Sequence, residues 1–390
     1  MRLADRQRRL DGLLPAFRDL WHPQPFREIR PAWCARHPDL ARELLDLTDA
    51  EAARLNDDSA AALCWLARYR PGVAELVPLA AVAGRSGSPL RSHGPHWAWE
   101  IPGRKQRQIE AFASASACAG HPILDWCGGK GHLGRLLALE WEQPVRTLEI
   151  DPALCAAGEG LARRAGVRQD FAVADALTAA AQPHAGEHAV ALHACGELHR
   201  RLVREGAAKG LARIDVVPCC YYRGATHDYV PLSGETTLAL TRDDLRLAVT
   251  ETVTSAPREG RQRDRGIAWK LGFDAYRRAS GEPGYRSFKP VPESWLRGSF
   301  ADFLAAMAAR EGLPVPGPAP PAEFEQAGWR RHAEVMRLSV VRHAFRRALE
   351  VWLVLDLACF LEHRGYAVEL GTFCERQLTP RNLLLSALRA

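Results

Sequence analysis

Residues 123–134 read Ile-Leu-Asp-Trp-Cys-Gly-Gly-Lys-Gly-His-Leu-Gly. A short apolar run ends in an acidic residue, and a glycine turn leads into the next apolar pattern. Gly129, Gly131 and Gly134 fit G-x-G-x-x-G, the spacing that lets a backbone turn tightly after a strand, approach a ligand closely and open a helix. The stretch therefore reads as strand, nucleoside-cofactor loop and helix. Spacing alone does not choose the cofactor. Asp125 does more, because a carboxylate at the strand tip repels a pyrophosphate and attracts a cation. S-adenosylmethionine carries an ammonium and a sulfonium and no phosphate, so it fits. A phosphate-binding P-loop is excluded: Lys130 is followed by Gly131 in place of Ser or Thr, and no glycine stands at the required upstream spacing.

Outward from the loop, strands are expected at Val145–Ile150, Phe171–Ala174, His188–His193 and Ile214–Pro218, with helices at Pro152–Ala165 and Glu197–Lys209. Repeated strand–helix units imply a doubly wound parallel sheet with right-handed crossovers. A long amphipathic helix, about Ala333–Arg364, is expected before two closing strands at Tyr366–Phe373 and Asn382–Leu388. The expected fold class is α/β: a Rossmann-like doubly wound sheet with a closing antiparallel hairpin, as in class I methyltransferases, plus a helical N-terminal region and a helical insertion. The division expected is a helical region over 1–100, the first part of the core over 101–225, the insertion over 226–330, and the closing helix and hairpin over 331–390. Within the insertion, Arg258-Glu-Gly-Arg-Gln-Arg-Asp-Arg reads as a mobile basic loop, and the proline-rich stretch 314–321 as a semi-rigid linker.

The chain has 390 residues, 47% hydrophobic and 25% charged, an ordinary globular balance that buries a core. The charged first residues lead into no signal-peptide segment. The longest apolar run, Val351–Leu361, is interrupted by Asp356 and too short to span a bilayer. Ten cysteines over this length lack the density of a disulfide scaffold. A soluble cytoplasmic protein with no membrane partner is expected. The net charge of +6 permits a nucleic-acid partner without requiring one.

Glu149 stands twenty positions beyond Gly129 and ends the second strand, where a carboxylate accepts from both ribose hydroxyls of a nucleoside. Asp151 is the alternative ribose contact, or a helix cap ahead of Pro152. Asp175 follows the third strand, placed to accept from an adenine amino group or to cap a helix. Asp125, Cys127, Gly129, Gly131, Glu149 and Asp175 are thus the candidate cofactor residues. A second cluster, His193-Ala-Cys195 after the fourth strand and Cys219-Cys220-Tyr221-Tyr222 after the fifth, should reach the same carboxyl edge. Small sulfur side chains packing a crowded rim, substrate positioning with acid-base help from His193, and metal ligation or a cysteine nucleophile all remain open for it. The spacing holds no paired C-x-x-C knuckle, and no metal is expected.

Asp125-Trp-Cys-Gly-Gly-Lys-Gly-His-Leu, His193-Ala-Cys-Gly-Glu-Leu, Cys219-Cys-Tyr-Tyr and Leu378-Thr-Pro-Arg-Asn-Leu together resemble the motifs of one methyltransferase family. It contains the eukaryotic methyltransferase-like protein twenty-five and its bacterial relatives, and is more distantly similar to tRNA ribose methyltransferases acting on the acceptor stem. The resemblance covers about Arg104–Thr226 and Arg342–Arg389. It implies S-adenosylmethionine as cofactor, held by Asp125, Gly129, Gly131 and Glu149, and it sets Arg381 and Asn382 near the active-site rim. The ribose methyltransferases carry Cys-Cys-His-His where this chain has Cys219-Cys-Tyr-Tyr. The resulting expectation is a methyltransferase with RNA as the favoured acceptor. A protein or small-molecule acceptor, a nicotinamide-dependent oxidoreductase, and a non-catalytic binding module that keeps the fold are the alternatives.

Overall fold

Among the described residues, short apolar runs bounded by turn residues become seven strands: β1 (Ile123–Trp126), β2 (Val145–Glu149), β3 (Gln169–Val173), β4 (His188–Cys195), β5 (Arg213–Cys219), β6 (Tyr366–Thr372) and β7 (Leu383–Arg389). They form one sheet of order β3-β2-β1-β4-β5-β7-β6 in a computed structural model that describes residues 1–94, 96–179, 182–234, 236–251, 257–282, 284–314 and 322–390. β1 to β5 run parallel, and β7 lies antiparallel between β5 and β6. Every residue of β1 and β5 is buried, as parallel strands covered on both faces require. This is the class I methyltransferase fold, with its order reversal between β1 and β4 opening a ligand crevice at the carboxyl ends of the strands.

The chain forms two compact units. One comprises Met1–Ala16, Glu75–Thr254 and Arg346–Ala390 and contains the whole sheet; the other comprises Phe17–Ala74 and Ser255–Phe345. In the first, the Arg346–His363 helix is buried without a break from Ala348 to Leu361 and packs against the Leu3–Ala16 helix. Asp356, which interrupts its apolar run, is fully buried and accepts hydrogen bonds from Tyr229 Oη (2.6 Å), Leu232 N (3.0 Å) and Ser233 N (2.8 Å). A charge that would be costly alone is thereby satisfied. In the second unit, the Ala322–Ala344 helix packs against Pro257–Ala279, Asp49–Asp57 and Ser59–Leu66.

Two expectations need correction. The single closing helix is two helices, Ala322–Ala344 and Arg346–His363, because Phe345 N bonds the carbonyl of Arg342 three residues back and the turn tightens there. The basic run at Arg258–Arg265 is no loop but the start of the Pro257–Ala279 helix. Arg, Gln and Glu favour that conformation, and Trp269 and Phe273 anchor it against Phe300, Phe303 and Met307. The proline-rich stretch lies, from 315 onward, outside the described residues. Among the described residues no helix is long and apolar enough to cross a membrane.

Candidate active site

After β1 the backbone turns through three left-handed residues, Cys127 (φ 58°), Gly129 (φ 61°) and Gly131 (φ 62°), before the His132–Trp141 helix starts. The glycines serve different needs. A Cβ on Gly131 would lie 2.2 Å from Gln169 Nε2 and 2.6 Å from Phe171 Cζ, whereas around Gly129 there is open space and only φ demands glycine. Gly128, outside the G-x-G-x-x-G pattern, has no room either: its Cβ would stand 2.3 Å from Asp125 Oδ2.

A buried polar chain supports this loop from below. Asp125 is 1% exposed, and its Oδ2 accepts from Gly134 N and from Thr147 Oγ1, both at 3.3 Å. Gln169 Nε2 donates to Thr147 Oγ1 (2.8 Å) and to the carbonyl of Gly131 (2.9 Å). β1, β2 and β3 are therefore tied to one loop through three side chains. Burial pushes the Asp125 carboxyl up to about 6, against the lowering effect of those two hydrogen bonds and of the Lys105 charge. From the other side, the fully buried Arg135 donates to the carbonyl of Trp97 (3.1 Å) and pairs with His132 Nδ1 (2.6 Å), while Lys130 pairs with Glu100 (2.7 Å).

Two cavities flank the strand ends. The first, about 490 Å³, is lined by Lys105, Asp125, Gly129, His132 and His193 among others. The second, about 430 Å³, is lined by Glu149, Asp175, Leu177, Cys195 and Arg223 among others. Cys127 lines both. Glu149 is fixed in place: Oε2 accepts from Gly129 N (3.0 Å), and Oε1 from Ile150 N (2.9 Å) and Asp151 N (3.1 Å). Asp151 is instead the cap of the Pro152–Ala165 helix, accepting from Ala153 N at 2.8 Å. Asp175 accepts from Leu177 N (2.8 Å) in a local turn and still lines the second cavity.

Around the rim, His193 reaches the first cavity and Cys195 the second, while Cys219, Cys220 and Tyr221 are absent from both linings. Cys195 Sγ lies 3.3 Å from Cys219 Sγ, which donates to the carbonyl of His193 at 3.1 Å. His193 Nδ1 is buried without a hydrogen-bond partner among the described residues. Burial and the positive charge of Arg381 push the His193 imidazole down to about 4, so it is neutral near pH 7. Tyr221 is 3% exposed and packs edge-on to His199, with ring centroids 5.5 Å apart. Arg381 is half-buried, its Nη1 without a partner among the described residues. Asn382 is buried and committed to the fold, accepting from Arg347 (3.0 Å) and donating to the carbonyl of Cys374 (2.8 Å). Sequence reasoning missed Gly128, Thr147, Gln169 and Arg135. The one available signal was Thr147, a polar residue within a segment expected to be strand; Gln169 lies ahead of the third strand as expected at Phe171–Ala174 and opens the observed one.

Residues 104–226 match a family model described as a methyltransferase domain. Over those residues the chain is similar to a methyltransferase domain. The match covers β1 to β5 and both cavities' strand ends, and it sets aside the nicotinamide-dependent oxidoreductase. No curated protein matches the chain. Among solved structures it is similar to the 23S rRNA methyltransferase ErmE (20% identity over 32% of this chain and 46% of that one, TM-score 0.24). It is also similar to the [4+2]-cyclase SpnF (15%, over 81% and 92%, TM-score 0.28) and to coclaurine N-methyltransferase bound to N-methylheliamine and SAH (12%, over 100% and 94%, TM-score 0.27). The chain thus spans less than half of ErmE, and none of the three assigns it an acceptor.

Proposed function

We propose that S-adenosylmethionine lies along the carboxyl ends of β1, β2 and β3 and that its methyl group passes to RNA. The observation that carries this is the pair of cavities meeting at Cys127, one holding a buried carboxylate and a glycine loop, the other two carboxylates at successive strand ends. In this reading the ammonium of the methionine moiety faces Asp125, the ribose hydroxyls bond Glu149, and the adenine amino group bonds Asp175. Gly129, which lines the first cavity, admits the ligand close to the backbone, and Gly131 keeps the turn of the loop over Gln169 and Phe171. The acceptor's lone pair attacks the methyl carbon in line while the C–S electron pair stays on sulfur, releasing S-adenosylhomocysteine; alignment does most of the work. His193 and Cys195, one on each cavity, position the acceptor, and Cys219, Cys220 and Tyr221 back them. Arg381 stands at the rim, and Asn382 holds the segment that carries it.

RNA as acceptor is supported by Arg104 and Lys105 on the first cavity, by the net charge of +6, and by the motifs resembling methyltransferase-like protein twenty-five and the tRNA acceptor-stem ribose methyltransferases. Ten free cysteines fit a reducing cytoplasm. Incubation with radiolabelled S-adenosylmethionine and separated RNA, protein and metabolite pools is expected to label RNA, with the label released by ribonuclease. Label confined to protein or metabolites sinks RNA as the acceptor; binding of S-adenosylhomocysteine with no label anywhere favours the non-catalytic module.

Glu149→Gln tests the ribose contact. Its amide NH2 must face either Gly129 N–H or the Ile150 and Asp151 N–H groups, donor against donor. Calorimetry should show S-adenosylhomocysteine binding about tenfold weaker, the equivalent of one lost hydrogen bond at about 1.4 kcal/mol. Unchanged affinity removes Glu149 from the cofactor site.

A further inference from the structure

We propose that Cys195, Cys219 and Cys220 form a tris-thiolate site for one thiophilic divalent cation, zinc being the representative. The three Sγ atoms all lie within 4.8 Å of one another, with Cys195 and Cys219 at 3.3 Å. Tetrahedral zinc with Zn–S of about 2.3 Å sets its sulfurs about 3.8 Å apart, between the 3.3 Å of the Cys195–Cys219 pair and the 4.8 Å within which all three lie.

Two backbone irregularities gather these thiols. In an unbroken strand, Cys219 and Cys220 would point to opposite faces of the sheet. β5 instead ends at Cys219, and Cys220 takes φ 43°, which brings its sulfur back beside its neighbour's. On β4 the register shifts between Leu192 and Ala194, with His193 at φ 65°. Leu192 pairs with Val217, so an unshifted ladder would set Cys195 opposite Cys220; the shift sets it opposite Cys219. A left-handed conformation at a residue other than glycine costs on the order of 1 kcal/mol or more, and such strain persists where the surroundings over-determine it. Packing small sulfur side chains needs neither device, whereas bringing three sulfurs to one point needs both.

The ligands come from two neighbouring strand ends, which explains why no C-x-x-C spacing announces them. Binding proceeds as M²⁺ + 3 RSH → M(SR)₃⁻ + 3 H⁺, so affinity rises with pH. Three protein ligands leave a fourth position for water or an acceptor atom, the arrangement of catalytic zinc sites as opposed to closed structural ones.

The test uses the full chain, stripped of metal under reducing conditions and titrated with Co²⁺. An intense thiolate-to-cobalt charge-transfer band saturating at one equivalent and displaced by Zn²⁺ is expected. Changes one shell removed from a metal cost about 10- to 100-fold in affinity, so loss of a ligand in Cys195→Ser or Cys219→Ser should cost about 100-fold or more. Cys64→Ser, at an exposed thiol of the second unit, should keep the band. Cys220→Ser, at a half-buried position, carries the test if Cys219→Ser does not fold. A wild-type chain without the band, a band that survives the cluster substitutions, or closure of Cys195 and Cys219 to a disulfide in place of metal uptake overturns the site.

Discussion

Asp125→Ala is expected to leave no measurable binding of S-adenosylhomocysteine in calorimetry, a loss of more than about 100-fold. Two effects add. The substitution removes the one buried carboxylate of the first cavity, and it strips Gly134 N and Thr147 Oγ1 of their acceptor. Each buried donor left unpaired costs about 1–3 kcal/mol, so the loop loses its support as the ligand loses its counter-charge. Asp125→Asn separates the two contributions: it keeps the shape and one acceptor and cannot ionise, so melting near pH 7 should be no lower than wild type while affinity falls about tenfold or more. Retained affinity in both variants would contradict the assignment.

The same residue predicts a pH dependence. Burial raises its carboxyl to about 6. Since the ionised form holds the ammonium, affinity should be flat above about pH 7 and fall toward tenfold per unit below 6, and Asp125→Asn should abolish that slope. Stability runs the other way. A folded pKa above the unfolded value of about 3.9 means folding favours the protonated carboxyl, a contribution fully present below the unfolded pKa and lost as pH rises through 6.

Gly131→Ala is the second large effect: about 3 kcal/mol or more of lost stability, with cofactor binding lost as well. The left-handed φ of 62° alone costs an alanine about 1–2 kcal/mol. The new Cβ would also meet Gln169 Nε2 at 2.2 Å and Phe171 Cζ at 2.6 Å, and overpacking of this kind costs about 1–3 kcal/mol. Gln169 cannot yield freely, because its amide holds both Thr147 and the Gly131 carbonyl. Gly129→Ala pays only for φ, so its melting temperature should fall markedly less. Equal losses in the two variants would mean that the loop packs otherwise.

The sheet was legible where one local signal sufficed. Pro152–Ala165 and Glu197–Lys209 were expected to the residue, since Asp151 caps the start of the first and left-handed Gly166 and Gly210 end them. The placement of Asp125, Glu149 and Asp175 was legible because chain order sets them on adjacent strand ends. Gln169 was not, since a lone polar residue at a strand's start has no periodicity and gains meaning only through the loop it touches. Gly128 was hidden by the template, which counts glycines by spacing and not by which side chain lies beneath. Chain order was enough to bring Cys195, Cys219 and Cys220 to one carboxyl edge, but the close approach of their sulfurs depends on a register shift that no composition or period encodes. The Arg258–Arg265 helix was misread because its charged start masks the anchoring aromatics that follow.

The central claim is a cofactor site for S-adenosylmethionine at the carboxyl edge of the sheet. Calorimetric titration of the wild-type chain with S-adenosylhomocysteine and, separately, NADH tests it most directly. Saturable one-to-one binding of S-adenosylhomocysteine with no heat from NADH is the result expected. Binding of NADH without S-adenosylhomocysteine would contradict it.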